Sequence, residues 1–119
     1  MSRYDLHVHT TASDGLHRPA EVVRMARDAG LAGIAVTDHD TVAGLEEALR
    51  ASAEYGIRVI PGVEISTAAQ GKDIHVLGYG FRRDDPKLLD RLVAQRRIRD
   101  TRNEAIIARL NEQIGRAHV

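Results

Sequence analysis

The 119-residue sequence has no cysteine and no tryptophan. Without thiols there is no disulfide framework, no thiolate nucleophile and no cysteine-based zinc site. Aromatic residues make up only 3%, so a core has to be built from Val, Ile, Leu and Ala. An excess charge is also missing, because 17 Lys+Arg balance 17 Asp+Glu. That balance argues against nonspecific binding to nucleic acid or to an anionic membrane, which needs a basic surplus. No apolar run approaches the ~18 residues of a membrane-spanning helix. The opening Met1-Ser2-Arg3-Tyr4-Asp5-Leu6-His7 lacks a signal-peptide core, so the expected location is the cytoplasm. There is no Gly-rich phosphate loop and no Ser-His-Asp arrangement. What remains is the composition of one soluble globular unit, 43% hydrophobic and 29% charged.

Tyr4 to His9 alternates apolar and polar side chains, as a short strand does. Ser13-Asp14-Gly15 is a turn signal, and Pro19 then sits at a first helical position with Glu21 in the first turn. Val22, Met25, Ala26 and Ala29 recur at helical spacing, with Gly30 as the stop. The pattern repeats: Leu31 to Val36 reads as a buried strand, and Thr41 is placed to cap a second helix that ends at Gly56. Ile57 to Ile60 begins a third strand, with Glu64 at its end, and Ile74 to Tyr79 reads as a fourth. Alternating strands and helices predict an α/β fold with a parallel sheet. From Asp84 onward, Leu88, Leu89, Leu92 and Val93, then Ile106, Ile107, Leu110 and Ile114, punctuate an Arg-rich stretch expected to form one or two helices.

The polar residues that interrupt this pattern cluster at strand ends. His7 and His9 are two apart on a strand, so both rings point to one face. Asp14 follows in the first loop, His39 after strand two, Glu64 after strand three and His75 within strand four. The loops after the strands form the ligand-binding edge of parallel α/β architectures. Imidazole and carboxylate without thiolate suit divalent Zn, Mn or Fe, and a set this dense can hold more than one ion. A two-metal site activates water and clamps both oxygens of a phosphoryl transfer. Each residue also has a plainer reading. Asp14 has an alternative as an Asx-turn residue, Asp38 and Asp40 as a helix cap or as partners of the His39 ring, and His17 as a surface residue.

With these residues in view, the chain resembles the PHP (polymerase and histidinol phosphatase) superfamily of metal-dependent phosphoesterases. The matching segments are Asp5-Leu-His-Val-His9, Ser13-Asp-Gly15, Thr37-Asp-His-Asp-Thr41, Pro61-Gly-Val-Glu-Ile-Ser66 and His75-Val-Leu-Gly-Tyr79, in family order over roughly residues 1–80. Thr37 to Gly44 looks most like the small bacterial branch acting on nucleotide phosphates and RNA 5′ ends. The resemblance implies the N-terminal portion of a distorted β/α barrel, with four strands and two covering helices, followed by a helical insertion. It implies two or three divalent Mn, Fe or Zn ions: His7 and His9 on one, Glu64 bridging it to a second that His75 also binds, and Asp14 with His39 on a third. Asp14, His39 and Glu64 are then the catalytic candidates. A metal-bound hydroxide would attack phosphorus in line, and no nucleophilic side chain is needed.

The expected organisation is a metal-binding portion over 1–83, a helical insertion over 84–114 and, at 115–119, the start of the family's Arg-x-His segment with His118 as a further ligand. Arg96, Arg97, Arg99 and Arg102 fall on the insertion. They read either as a solvated face laced with Asp100 and Glu104 or, for Arg99 and Arg102, as substrate-phosphate ligands. A β/α barrel takes about 200–250 residues, and the family's late His and Asp-x-His motifs are absent here. The expected activity is hydrolysis of phosphate esters of small nucleotides or nucleic-acid 5′ ends. The alternative is a catalytically incomplete metal-binding or regulatory portion. An incomplete barrel leaves apolar surface and an open sheet edge, so self-association is expected alongside a small phosphorylated substrate.

Overall fold

The computed structural model describes residues 2–69 and 71–117. Four strands form one sheet in the order β1 (Tyr4–Val8), β2 (Gly33–Val36), β3 (Arg58–Ala69), β4 (Lys72–Tyr79). Helices α1 (Pro19–Asp28) and α2 (Leu45–Tyr55) make the two crossovers, and α3 (Pro86–Ala117) follows the last strand. β1, β2 and β3 are parallel, with Tyr4 opposite Gly33 and Val36 opposite Pro61. β2 is buried at all four residues, as a strand covered on both faces has to be.

The all-parallel expectation fails at β4, which runs antiparallel to β3 from Gly62 opposite Tyr79 to Ala69 opposite Lys72. The link from Ala69 to Lys72 is too short for a crossover, which takes a dozen or more residues. It makes a hairpin instead, with Gly71 at φ 76°. Pairing along this hairpin extends β3 to 12 residues. Glu64 therefore sits in the middle of a strand, beyond the point where β2 has ended.

One core joins the helices to the sheet: Val23 and Ala26 of α1, Leu45, Ala48 and Ala51 of α2, and Ile34, Val36, Ile57 and Val59 beneath them. The α1 stripe is narrower than the sequence spacing suggested, and Met25 is exposed. Pro19 opens α1 as expected, but its capping partner comes from elsewhere. Glu47 of α2 accepts from the Ala20 N–H (2.9 Å) and from Arg18 (3.0 Å). The Ala20 N–H, then Arg18, hold the Glu47 carboxyl below its ordinary value. α2 is not capped by Thr41. That hydroxyl accepts from the Ala43 N–H in the preceding turn, and the helix starts at Leu45 after Gly44. Its end at Gly56 is as expected, with φ 69° and the N–H bonded to the Ser52 carbonyl.

α3 is a single helix of 32 residues, about 48 Å long at 1.5 Å per residue. Leu92 is its one buried side chain among the described residues, and 101–114 are exposed throughout.

Candidate metal centre

The alternation of β1 places the His7 and His9 rings on one face, with Nε2 atoms 3.1 Å apart. Both turn to Glu64 of β3: His7 Nε2 contacts Oε1, and His9 Nε2 lies 3.3 Å from the same oxygen. The second Glu64 oxygen faces His39 Nδ1 at 3.2 Å and His75 Nδ1 at 2.9 Å. Asp14 closes the set, 3.2 Å from His9 Nδ1 and 3.3 Å from His39 Nε2. The His9 and His39 rings stack, with centroids 4.5 Å apart. Six residues separated by up to 68 positions thus meet around one carboxylate.

Glu64 is 4% exposed. Burial pushes its carboxyl up. The His7 hydrogen bond, the charge of His39, the His75 hydrogen bond and His9 together outweigh that, so it lies below its ordinary value.

Three groups of donors each lie within 4.8 Å: His7, His9 and Glu64; His9, Asp14 and His39; His39, Glu64 and His75. The chemistry of this set fits divalent cations, because nitrogen and oxygen lone pairs converge with no Lys or Arg among them. One atom makes the case more specific. His9 Nδ1 is buried with no hydrogen-bond partner, although Asp14 is near, and a buried polar atom left unmatched is costly. A ring ordinarily ligates through one nitrogen. The donors can then fill the first and third triads together, or the first triad with Glu64–His75 and Asp14–His39 as pairs.

The flanks of His39 act differently from either role expected for them. Asp38 is buried and accepts from the Thr10 N–H (2.6 Å), the Thr10 hydroxyl (2.8 Å) and the Ser13 hydroxyl (2.8 Å). It therefore pins the loop that presents Asp14. Asp40, also buried, accepts from the Ser66 N–H (2.9 Å) and from Arg99 (3.1 Å). Neither caps α2 nor bonds the His39 ring. The sequence signal was an acid on each side of a site histidine, but their partners lie 25 to 59 residues away. His17 stands at the surface, 3.8 Å from Glu21.

The arginines of α3 do not form a face laced with Asp100 and Glu104. Arg99 reaches Asp40, Arg96 donates to the Asp40 carbonyl (2.6 Å), and Arg102 pairs with Asp73 (2.8 Å). Arg99 and Arg102 line a cleft of about 420 Å³ together with Ser13, Asp14, His39 and His75. A neighbouring cavity of about 330 Å³ lies between Arg99, Arg102, Gln95 and Thr67. His118 falls outside the described residues.

The model of the PHP domain matches residues 5–115. Over 100 residues the chain is 46% identical to a 5′-3′ exoribonuclease of Haemophilus influenzae, covering 84% of this chain and 36% of that protein. It is 40% identical over 88 residues to a 3′,5′-nucleoside bisphosphate phosphatase of Chromobacterium violaceum, covering 74% of this chain and 31% of the relative. The crystal structure of a candidate metal-dependent phosphoesterase from Bifidobacterium adolescentis superposes with a TM-score of 0.85 at 33% identity, over 93% of this chain and 39% of that one. The chain spans about a third of the length of these two relatives.

Proposed function

The chain belongs to the PHP domain family, and from that premise we propose that it supplies the metal-binding edge of a phosphoesterase acting on small nucleotides or nucleic-acid 5′ ends. The observation that carries this reading is the interlocked His/carboxylate set around Glu64, which shares one cleft with Arg99 and Arg102. The names of the relatives, an exoribonuclease and a nucleoside bisphosphate phosphatase, support a nucleotide phosphate as substrate.

His7, His9 and Glu64 are assigned to one divalent ion, Glu64 and His75 to a second, and Asp14 with His39 to a third, with Mn, Fe or Zn as the candidates. Such ions, when bound, supply Lewis acidity and bring the pKa of water towards neutrality. The chain's own residues do the positioning. Glu64 turns its two oxygens to different imidazole groups, so one side chain ties two sites together. Asp14, His39 and Glu64 line the reacting edge as the catalytic residues. From α3, Arg99 and Arg102 present guanidinium forks, which match phosphate oxygens bidentately and turn the ester towards that edge. The metal-binding portion is assigned to 1–83 and the helical insertion to 84–117, because α3 runs past the expected boundary at 114 to Ala117. The exposed Ile106, Ile107, Leu110 and Ile114 of α3 favour self-association of the isolated chain.

Elemental analysis of the gel-filtered chain, paired with phosphate release from adenosine 3′,5′-bisphosphate and a 5′-phosphorylated oligonucleotide, tests the reading. Two or more ions per chain and release that stops on chelation and returns with Mn are expected. Metal uptake without release would leave only the incomplete metal-binding portion. Release that survives both chelation and His9→Ala would overturn the assignment.

A further inference from the structure

Asp40 is the only described non-glycine residue with positive φ, at 54°, and its side chain is fully buried. Asp is among the few residues that enter this region at tolerable cost, because its short polar side chain finds local partners. Here the partners are not local. Its N–H donates to the Glu64 carbonyl (2.9 Å), which continues the parallel pairing at His39 opposite Glu64. Its carboxylate takes the Ser66 N–H on one oxygen and Arg99 on the other, and its carbonyl takes Arg96. Arg96 and Arg99 are three apart, on one face of α3. One residue beside the metal centre thus receives β3 on one side and two arginines of α3 on the other.

Besides the Arg102–Asp73 pair (2.8 Å), few contacts hold this part of α3. Leu92 is its one buried apolar side chain among the described residues, and Gln95 adds a bond to the Ser66 carbonyl next to the same anchor. A buried carboxylate without a partner is costly, so Asp40 and Arg99 fix one another. The Arg99 guanidinium has five N–H donors and gives one to Asp40, which leaves the rest of the fork directed by that bond. We propose that Asp40 is a positioning residue: it sets Arg99 against the His/carboxylate edge, so that affinity for a phosphate group depends on Asp40 while metal occupancy does not. This rests on the reading of Arg99 as a phosphate ligand.

The test is Asp40→Asn, which keeps an acceptor for Ser66 and tolerates positive φ but removes the charge facing Arg99. The zinc-loaded full chain, its Asp40→Asn and Arg99→Ala variants and the double variant are compared for zinc content and for binding of inorganic phosphate by calorimetry. The expected result is unchanged zinc in all four and phosphate binding weakened about tenfold by Asp40→Asn, the scale of one charged hydrogen bond. The double variant should be no weaker than Arg99→Ala. Undiminished phosphate binding in Asp40→Asn, or additive losses in the double variant, overturns the positioning role. Equal binding by Arg99→Ala and wild type overturns instead the reading beneath it. Should Asp40→Asn fail to fold, the Ser66 amide resonance of the wild-type zinc form provides the second measurement. Saturating phosphate should shift it through Asp40, and no shift in wild type, or the same shift in Arg99→Ala, refutes the coupling.

Discussion

Glu64→Gln is the substitution that separates a bridging carboxylate from an ordinary ligand. Gln is isosteric, keeps one carbonyl acceptor and replaces the other oxygen with an amide that donates only. In the native chain Oε1 faces His7 and His9 while Oε2 faces His39 and His75. Whichever way the amide turns, one imidazole group loses its anionic partner and meets an N–H. The charge that both groups share is lost in either orientation. Outer-shell partners alone are worth about 10–100-fold in metal affinity, so losing the shared charge at both groups, and the oxygen donor itself at one, should cost about 100-fold or more at each. His75→Ala touches one group only. Elemental analysis after gel filtration in low free metal should therefore find two ions fewer per chain in Glu64→Gln and one fewer in His75→Ala. Far-ultraviolet circular dichroism of the metal-free proteins checks that both remain folded. Equal metal loss in the two variants, or full occupancy in Glu64→Gln, would refute Glu64 as the bridge.

Other consequences follow from particular contacts. A Cβ on Gly15 would lie 2.6 Å from the His9 carbonyl oxygen and 2.7 Å from the Thr10 Cα, so Gly15→Ala should destabilise the chain by about 1–3 kcal/mol through overpacking, read as a lowered urea midpoint together with loss of metal at Asp14. Glu47→Gln removes the carboxylate that caps α1 and should cost about 1 kcal/mol at pH 7, visible as a melting temperature lower by roughly 4 °C. Glu47 lies below its ordinary value of 4.5. The stability it adds is therefore complete above that value and is lost as pH falls through its folded-state value. A melting series in chelator should fall on the acid side of that value, less steeply in Glu47→Gln; an equal acid-side slope in the two proteins would contradict this. Sedimentation of the isolated chain should give a mass above 13.1 kDa, and a sharp monomer peak with a cooperative melt would count against self-association.

Features that depend on neighbours within a turn or two were legible along the chain. Pro19 at the start of α1, the left-handed Gly56 at the end of α2 and the alternation that turns His7 and His9 to one face each follow from local backbone chemistry. The donor residues were legible for a related reason: imidazoles and carboxylates interrupt otherwise apolar strands where no core would accept them. The direction of β4 is not legible in its apolar run, which looks the same either way; the short link to β3 is what makes it antiparallel. The rest had no local signature. Glu47 caps a helix 27 residues away, and Asp40 joins Ser66 to Arg99 across 26 and 59 residues. Arg99 looked equally well suited to a solvated helix face, because its spacing to Asp100 and Glu104 says nothing of a buried acid on another element. The chain itself offers the imidazole and carboxylate donors and their positions in or just after the strands. Packing of sheet, hairpin and helix is what sets Glu64 at their centre and turns Asp40 to α3, because long-range partners have no signature in local spacing.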